Sequence, residues 1–592
     1  MNTAELTLGG SLHDAPDAKK RGIMQGRPRN AFKAAAAASL CLILGTGFLE
    51  ATTYYISNAG NDANSGTSTN ASWKTVQHVY DVQGNLKAGD SVLLHAGESF
   101  DGPLSISTTK QPGTAGNPLT IGRYGTGADP VIYGDHPTAT WAAVDGFAGL
   151  YKSSVLATVV NVERVFDING HEYHKVPLGT NDLNAWLGGF TNGSWGVPPS
   201  RNVVYVRTRD DGTPPKMHLM EFGVVGVPGY CVVQNVEMCN GGKGIETTGE
   251  GTVIRDNYIH DCYATGIMLW NAWGDQVYSN RVERTGYTQI YLQNGGGNWI
   301  HHNVCSYTGT DLGNTATIIA GNCVVTNQEN CSMGLQQGTN NLIEWNTFSY
   351  SRGDFIDWYL EANAEVRYNY GFHSGMATAP CGTGIKVHDN IFDLDSAGSG
   401  FSPSHVYDPV NSPMPDSGPV VIYNNVIYDF RGCAFYTAGA GASGVIIRNN
   451  IAATSFVSDL PVSGSTTSTG VDSDYNVFYS SGAPMVWHWN QGGSLTTLAA
   501  WRAATGQDVH SVYADPQFVL ASPASPADFQ VKSTSPCIRA GENLRDAGIV
   551  PTSTQYQDYL GVPIPQGGGA DIGPYQFSSV APPSSLRVNG PN

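Results

Sequence analysis

The amino-acid sequence predicts an all-β solenoid, a chain that winds through stacked coils of short strands. An asparagine-centred motif recurs about every 23 residues, and apolar and polar residues alternate around it. The composition fits, because 72 of 592 residues are glycine and only 14% are charged. Such a chain is rich in turns, and we expect few long helices.

The repeat consists of an apolar residue, two variable positions, an asparagine and further apolar residues. Its eight clearest copies are centred on Asn257, Asn280, Asn303, Asn346, Asn369, Asn390, Asn425 and Asn450, with weaker members at Asn235 and Asn476. Successive steps are 22, 23, 23, 43, 23, 21, 35, 25 and 26 residues. The step of 43 is close to two periods, and the step of 35 is one period with an inserted loop.

Residues around each asparagine alternate as they would in a strand. Three positions before the eight core asparagines stand Ile254, Val277, Ile300, Ile343, Val366, Val387, Ile422 and Ile447, all β-branched. The position between them and the turn is mostly polar, as in Arg255, His301 and Glu344. Period two predicts strands with one buried face, and one repeat predicts one coil. A leucine-rich repeat is the main rival, but its L-x-x-L-x-L frame is absent.

The repeated asparagines predict a polar ladder inside one turn of each coil. Asparagine tolerates the left-handed backbone of a tight bend, and its amide can bond to the next coil. Stacked side chains would then satisfy one another along the solenoid.

The asparagine ladder and repeats resemble the right-handed parallel β-helix proteins, the pectate-lyase-like superfamily that includes pectate lyases, chondroitinase B, alginate lyases and several glycosidases. The segments YYISNAGNDANSGTSTNASWKTVQ, LKAGDSVLLHAGESF and GNPLTIGRYGTGADPVI are similar to the opening of many secreted members, and GQDVHSVYADPQF, SPCIRAGENL and DIGPYQF to their end. The resemblance implies an all-β right-handed parallel β-helix. It says little about the reaction, because this fold carries many activities.

The chain divides into six predicted parts. Residues 1–51 are a signal peptide, 52–135 an N-terminal cap with the first coils, 136–228 an inserted β-rich subdomain, 229–480 the regular parallel β-helix, 481–577 a C-terminal cap and 578–592 a tail. Short capping helices are expected near Trp73–Val82 and in SLTTLAAWRAATG.

The first residues predict export. A basic front is followed by the apolar run Ala34–Leu49, which is short for a membrane-spanning helix. A secreted or periplasmic monomer with no membrane contact after processing is expected, and a retained anchor is the alternative. The net charge of −18 argues against a nucleic-acid partner. The nine remaining cysteines fit disulfides or buried free thiols equally well.

A second strand after the asparagine turn presents residues that suit sugar binding. Ten and twelve positions past the asparagine, inward pairs such as Ile290 and Leu292 are expected. The outward positions would then hold Met268, Tyr291 and Asp357, followed by Trp270, Gln293 and Tyr359. By analogy with the lyases, this strand lines the substrate groove, where aromatic rings can stack on sugar rings.

The densest polar cluster is SRGDFIDWYLEAN, which supplies Arg352, Asp354, Asp357 and Glu361. Glycosidic cleavage commonly needs two carboxylates, and residues three apart on an extended strand stand ~10 Å apart. Asp311 occupies the same position after its asparagine as Asp354. It would lie two coils away, or next to Asp354 if Gly321–Asn340 is a loop rather than a coil. Solvated turn acids are the alternative.

These observations predict an extracellular enzyme that cleaves a polysaccharide on the outside of the β-helix. A glycoside hydrolase is favoured, with Asp354, Asp357, Asp311 and Glu361 as catalytic residues and Tyr291, Trp270, Tyr359, Arg352 and Gln293 binding substrate. It needs no cofactor or metal. The alternatives are a polysaccharide lyase that uses Ca²⁺ on a uronate polymer, with Arg352 or Lys243 as its base, and a non-catalytic glycan-binding β-helix.

Overall fold

The chain folds into an all-β parallel β-helix, as the repeat predicts. The structure is a computed structural model that describes residues 51–577, with gaps at 139–140, 155–161, 168–172, 178–181, 199–202, 211–216, 222, 309–332, 360, 381, 395–418, 432, 438–442, 456–459, 465–468, 483, 490–492, 555 and 566–568. The expected signal peptide and the tail at 578–592 lie outside the described residues. No described helix is long and apolar enough to cross a membrane.

The coils build three parallel walls. Wall 1 precedes the asparagine of the repeat and contains 13 strands in the described part of the chain. They are Thr53–Ile56, Ser91–His95, Leu119–Tyr124, Cys231–Gln234, Val253–Arg255, Gln276–Tyr278, Trp299–His301, Leu342–Glu344, Glu365–Arg367, Ile385–His388, Val420–Tyr423, Ser443–Arg448 and Thr469–Asp474.

Wall 2 follows the asparagine. Its strands are Ser99–Asp101, Val131–Tyr133, Glu237–Cys239, Tyr258–Cys262, Arg281–Thr285, Val304–Thr308, Ile391–Asp393, Val426–Tyr428, Ile451–Thr454, Val477–Ser480 and Val512–Tyr513. Two longer strands, Thr347–Tyr359 and Tyr370–Ala379, run through wall 2 and bend into wall 3.

Wall 3 completes each coil. Its strands are Leu104–Ser105, Gly223–Pro228, Lys243–Glu250, Thr265–Trp273, Thr288–Gln293 and Met333–Gln336, followed by the second halves of the two long strands. Glu361–Ala362 pairs with Gly382–Thr383, and a four-stranded sheet of Cys433–Thr437, Leu460–Gly464, Trp487–Trp489 and Gly493–Leu495 lies in the later coils.

The core fills the space between the walls. The β-branched residues before the asparagines form one continuous apolar cluster, in which Ile254, Val277 and Ile343 are each 0% exposed. The expected inward residues of wall 3, among them Ile290 and Leu292, belong to the same cluster. Burying apolar side chains in this way is the main favourable contribution to stability.

The predicted asparagine ladder is present. In each neighbouring pair from Asn257 to Asn476, the side-chain Nδ2 of the first asparagine donates a hydrogen bond to the Oδ1 of the next, at 3.0–3.2 Å. The left-handed backbone, however, belongs to the residue before each asparagine, such as Asp256 (φ 54°) and His302 (φ 54°). Asn235 (φ 54°) occupies that preceding position, so it is not a rung of the ladder.

The step of 43 residues is one coil with an insertion, so the interpretation as two periods is wrong. Trp299–His301 pairs directly with Leu342–Glu344, and Val304–Thr308 pairs with the start of Thr347–Tyr359. The wall 3 strand of this coil begins at Met333, which pairs with Ile290 and Ile356. Counting a fixed number of residues from Asn303 therefore does not locate this strand. Thr308 pairs with Ser351, so the coils of Asp311 and Asp354 are direct neighbours, as one of the two alternatives for Asp311 required, but Asp311 itself lies outside the described residues.

Antiparallel strands interrupt the helix between wall 2 and wall 3 near its start. They form a three-stranded sheet of Asp135–Thr138, Val162–Asp167 and Met217–Glu221, and a five-stranded sheet of Ala142–Ala143, Leu150–Ser154, His174–Lys175, Ser194–Gly196 and Val203–Arg207. The range predicted for this subdomain, 136–228, also includes Gly223–Pro228, which pairs with strands of wall 3.

The described helices are short. They are His78–Val82, Leu183–Leu187 and Leu498–Thr505, with 3-10 turns at Thr69–Ala71, Gln83–Asn85 and Pro526–Phe529. Val79 near the start and Leu498 and Trp501 near the end pack into the core, so two helices cover its ends as expected. The six cysteines in the described part of the chain are buried free thiols.

The C-terminal segment does more than cover the far end. Phe518, Phe529 and Tyr559 pack against the outer face of earlier coils, including Tyr368 and Val426. The Tyr368 hydroxyl donates to the Gln557 carbonyl at 3.1 Å across a sequence separation of 189 residues. This segment therefore covers the outside of the helix where walls 1 and 2 meet. The cluster of buried residues that it forms there includes no residue of wall 3.

Candidate functional site

The outward face of wall 3 carries two columns of residues in register. Tyr291 pairs with Met268 on one side and Gly334 on the other, and Gly334 pairs with Asp357. The neighbouring column is Trp270, Gln293, Gln336 and Tyr359. The structure thus brings five of the predicted site residues into two adjacent columns: Tyr291, Asp357, Trp270, Gln293 and Tyr359.

The described side chains of these columns differ in exposure. Trp270 is 38% exposed, and Tyr291 and Gln293 are half-buried. Tyr291 packs edge-to-face with Tyr287, with 6.2 Å between ring centroids. Met268 is only 3% exposed, so it does not offer the accessible surface that its outward position suggested. An aromatic and amide surface of this kind can stack on a sugar and bond to its hydroxyls.

Asp354 lies at the corner between walls 2 and 3 rather than on the outward columns. It pairs with Met376 just beyond a register shift, its side chain is largely buried, and its carbonyl accepts a hydrogen bond from Ser351 Oγ at 2.6 Å. Phe355 and Ile356 both enter the core at 0% exposure. Because two consecutive residues face inward, the strand does not alternate regularly between Asp354 and Asp357.

Some predicted site residues cannot be located beyond the backbone. Asp311 lies outside the described residues. Arg352, Asp357 and Tyr359 are placed by their backbone in the strand Thr347–Tyr359, without a described side chain.

Glu361 belongs to a second polar ladder inside the turn from wall 3 to wall 1. Its carboxylate accepts hydrogen bonds from Gly338 N at 2.8 Å and Asn341 Nδ2 at 3.1 Å. The ladder continues through Asn298 to Asp275. Glu361 is 1% exposed, and burial raises its pKa to about 7. These contacts favour a structural role for Glu361, because a ladder carboxylate cannot reach a substrate outside the wall.

The sequence did not reveal an ionic cluster on wall 2. Asp261 is 0% exposed and accepts two hydrogen bonds from Arg284, at 2.7 and 2.9 Å. His260 Nδ1 lies 2.6 Å from Asp261 Oδ2, and its Nε2 lies 3.1 Å from Glu237 Oε1. Burial raises the pKa of Asp261, but hydrogen bonds from His260 and Arg284 outweigh it and lower the pKa to about 2. The signal that could have predicted this cluster from the sequence is the occurrence of charged residues at matching positions of successive coils.

The same arrangement recurs on wall 1, where it has no access to a groove. His388 Nδ1 lies 2.7 Å from Asp389 Oδ2, and its Nε2 lies 3.2 Å from Glu365 Oε1. As with His260, the glutamate comes from the preceding coil and the aspartate follows the histidine in a left-handed conformation. His388 stacks on Tyr423, which the C-terminal segment covers. A buried copy indicates that this Glu–His–Asp arrangement joins neighbouring coils rather than acting on substrate.

His301 and His302 lie on wall 1, away from the wall 3 columns. The His301 ring stacks on Tyr278 with 4.8 Å between centroids and also contacts Trp299. Its Nδ1 lies 2.8 Å from His302 Nδ1. Burial, together with His302, lowers the pKa of His301 to about 4, so it is neutral at physiological pH. Across the described ranges, no group of three His, Cys, Asp or Glu residues could hold a metal ion.

Three long stretches of sequence follow wall 2 strands before the next wall strand that the structure describes. The antiparallel sheets lie between Val131–Tyr133 and Gly223–Pro228, and residues 309–332 connect wall 2 to wall 3. Residues 395–418 also follow a wall 2 strand, Ile391–Asp393. In solenoids, insertions concentrated at one edge usually border the binding face. Asp354 lies at this corner.

A family model described as "Right handed beta helix region" matches residues 204–317. The solenoid is therefore a right-handed parallel β-helix.

Among curated proteins, a stretch of 85 residues is 49% identical to lacto-N-biosidase of Bifidobacterium longum subsp. longum. The stretch is 14% of this chain and 5% of that protein, so the chain spans only a small part of the relative that it matches.

Similar solved structures share low sequence identity with this chain. A complex of XylC with xylose has a TM-score of 0.45 at 14% identity and covers 73% of this chain and 84% of that one. A GH136 lacto-N-biosidase from Eubacterium ramulus has a TM-score of 0.41 at 16% identity, over 74% and 68%. Pectate lyase Pel9A has a TM-score of 0.42 at 12% identity, over 90% and 98%.

Proposed function

We propose that this protein is an exported glycoside hydrolase that cleaves a glycan on the outer face of wall 3. Asp354 and Asp357 supply the two carboxylates of the reaction. Tyr291, Trp270 and Tyr359 hold sugar rings, with Gln293 and Arg352 contributing hydrogen bonds. Asp311 is left out because it lies outside the described residues, and Glu361 is left out because it is held in the second ladder.

The observation that carries this proposal is the register of wall 3. One column continues from Tyr291 through Gly334 to Asp357, and the next continues from Trp270 through Gln293 towards Tyr359. Glycine between the tyrosine and the aspartate has no side chain. At ~4.8 Å per coil, the Tyr291 and Asp357 backbones lie ~10 Å apart, which leaves room for a sugar between an aromatic ring and an acid.

Two further observations support it. The C-terminal segment packs on faces of the helix other than wall 3. The 85-residue match, at 49% identity, is to a protein named lacto-N-biosidase.

The chemistry needs only carboxyl groups in two different states. One must be protonated and give its proton to the departing oxygen, and the other must be ionised to activate water or attack the sugar carbon. Asp354 is largely buried at the corner between walls 2 and 3, whereas the backbone of Asp357 lies in a wall 3 column. Different surroundings are what separate the pKa values of such pairs. We assign the acid role to Asp354 and the base role to Asp357.

The test is to incubate the purified full chain with four substrates: lacto-N-tetraose, xylohexaose, polygalacturonate and alginate. New reducing ends and the ultraviolet absorbance of unsaturated ends are read together. We expect new reducing ends without that absorbance on a neutral substrate. Absorbance from either uronate polymer would replace this proposal with a lyase, and no cleavage of any substrate would leave a glycan-binding β-helix.

A further inference from the structure

The exposed tryptophans of this protein are concentrated at one place. Among the described tryptophan side chains, those that are exposed are Trp270 at 38%, Trp273 at 51% and Trp299 at 38%. Trp270 and Trp273 belong to the strand Thr265–Trp273, and Trp299 begins a wall 1 strand one coil later. We call this surface, at the turn from wall 3 to wall 1, the tryptophan corner. Clustered exposed apolar side chains usually mark an interaction site.

The backbone beneath these rings is shaped to receive them. Trp273 pairs with Gly296 in the next coil, and Gly296 pairs with Thr339. A Cβ atom on Gly296 would lie 3.1 Å from Trp273 Cζ3 and 2.3 Å from the Thr339 carbonyl oxygen, so glycine is required for this close packing. Trp299 is held by a hydrogen bond from its Nε1 to Glu344 Oε1 at 2.9 Å. Two of the three rings are therefore held in place while remaining exposed.

The wall 3 surface around the rings carries no basic residue. Residues 263–274, 285–300 and 333–343, from three successive coils, contain no charged residue, although the chain has 80 charged residues in all (31 basic and 49 acidic). Their polar residues are amides and hydroxyls, such as Asn271, Gln293 and Thr339. The charged residues beside the rings are acidic, because the exposed Glu250 pairs with Trp273 and Glu344 accepts the hydrogen bond from Trp299. A polyanion needs basic partners and a protein interface usually has a charged rim, whereas a neutral sugar needs aromatic faces and hydrogen-bonding groups.

We infer that the tryptophan corner binds a neutral glycan chain and forms the distal subsites of the wall 3 groove. Trp270 belongs to both the tryptophan corner and the wall 3 groove, since its column leads to Tyr359 three coils away. At ~4.8 Å per coil, the backbones of Trp270 and Tyr359 lie ~14 Å apart. The inference rests on the proposed function and narrows it, because a corner without basic side chains favours an uncharged glycan over a uronate polymer. The acids cut at one end, and the corner holds the chain beyond it.

Calorimetric titration tests the inference by measuring binding rather than cleavage. The full chain and the variants Trp273→Ala and Trp273→Ala/Trp299→Ala are titrated with lacto-N-tetraose, xylohexaose and hexagalacturonate. Tyr80→Ala, which removes a 53% exposed aromatic side chain from a helix near the start of the chain, is the matched control. We expect a neutral oligosaccharide to bind to the wild type, and its Kd to rise by about tenfold or more in the double variant. The control should bind it with unchanged affinity, and hexagalacturonate should not bind.

The inference is overturned by any of three results: no binding of either neutral oligosaccharide, unchanged affinity in the double variant, or equal affinity for hexagalacturonate. If Trp299→Ala does not fold because the contact with Glu344 is lost, Trp273→Ala decides alone, since the Trp273 ring takes no part in that contact. If a glycan binds, loses affinity when the tryptophans are replaced, and is not cleaved, the proposed hydrolase is refuted while the inferred binding surface is supported.

Discussion

Asn303 and Asn346 are adjacent rungs of the asparagine ladder, with Nδ2 of Asn303 3.0 Å from Oδ1 of Asn346, although 43 residues separate them in sequence. Asn346 also donates to Asn369 Oδ1 and to the carbonyl oxygens of Ile300 and Glu344. One amide therefore joins several strands at the coil where the chain makes its insertion at 309–332. Buried amides that satisfy one another in this way hold the coils in register.

Replacing this rung should destabilise the whole helix. Asn346 is 1% exposed, and Asn346→Ala leaves the Asn303 amide and two carbonyl groups without their partners. Each unsatisfied buried group costs about 1–3 kcal/mol, so we expect the free energy of unfolding to fall by about 3 kcal/mol or more. Urea unfolding followed by circular dichroism measures it. Asn70→Ala, at an exposed site, should change nothing, and equal midpoints for the two variants would contradict the ladder's importance.

Removing either proposed catalytic carboxylate should abolish most turnover while leaving the fold intact. We expect Asp357→Asn and Asp354→Asn each to lower kcat by about 10²–10⁴-fold, the usual contribution of a positioned acid or base. The measurement is the release of reducing ends from whichever glycan the wild type cleaves. Asp145→Asn, at an exposed site in the inserted sheets, is the control. Full activity in both active-site variants would place the reaction on another face.

The ladder carboxyls should make stability depend on pH. Burial raises the pKa of Asp275 and of Glu361 to about 7. An acid whose folded pKa is raised favours the folded state below its unfolded pKa of about 4, and this advantage is lost as the pH rises towards 7. We therefore expect Asp275→Asn to be more stable than the wild type at pH 8, by the order of 2 kcal/mol, and similar to it at pH 4. Urea midpoints at both pH values measure this, and equal differences at the two would contradict it.

Periodicity was sufficient to predict the coils but not the insertions. The β-branched positions and the ladder follow from local pattern, because each coil buries its residues against two near-identical neighbours. The strand Met333–Gln336 could not be located, because its position depends on pairing with Ile290 and Ile356 rather than on distance from Asn303. The alignment of Asp311 with Asp354 stays a prediction, because Asp311 lies outside the described residues. Glu361 was predicted to line the groove, but its hydrogen bonds are to Gly338 and Asn341 inside a turn, which local pattern does not reveal.

His388, which joins two coils on wall 1, should contribute more to the free energy of unfolding at low pH than at high pH. Burial alone would lower the pKa of His388, but hydrogen bonds to Asp389 and Glu365 raise it. A histidine with a raised folded pKa stabilises the fold fully below about 6.5 and loses this contribution as the pH rises through the folded value. The groups facing it are Asp389, Glu365, Tyr368 and Tyr423, with Arg367 on Glu365.

The change His388→Gln should therefore lower the urea midpoint more at pH 6 than at pH 9. His174→Gln, at an exposed site of the inserted sheets, is the control and should give no pH-dependent difference. A loss of stability that is equal at both pH values would show that His388 acts by shape rather than by charge.

Cleavage should proceed by hydrolysis, and a chelator should leave it unchanged. A lyase needs a neutral base and a cation to balance the uronate carboxylate, yet Lys243 Nζ is in an ion pair with Glu246 Oε2 at 3.2 Å with its side chain 11% exposed. This contact occupies the side chain that the lyase alternative needs as its base. The hydrolase needs only the two aspartates, whose backbones stand at most ~10 Å apart along one strand. That is nearer the ~6.5–9.5 Å of an inverting pair than the ~5 Å of a retaining pair, so we expect inversion at the anomeric carbon. Proton NMR of the first product formed reports its configuration. A retained configuration would make one aspartate a nucleophile, and chelator-sensitive cleavage with ultraviolet-absorbing ends would exclude hydrolysis.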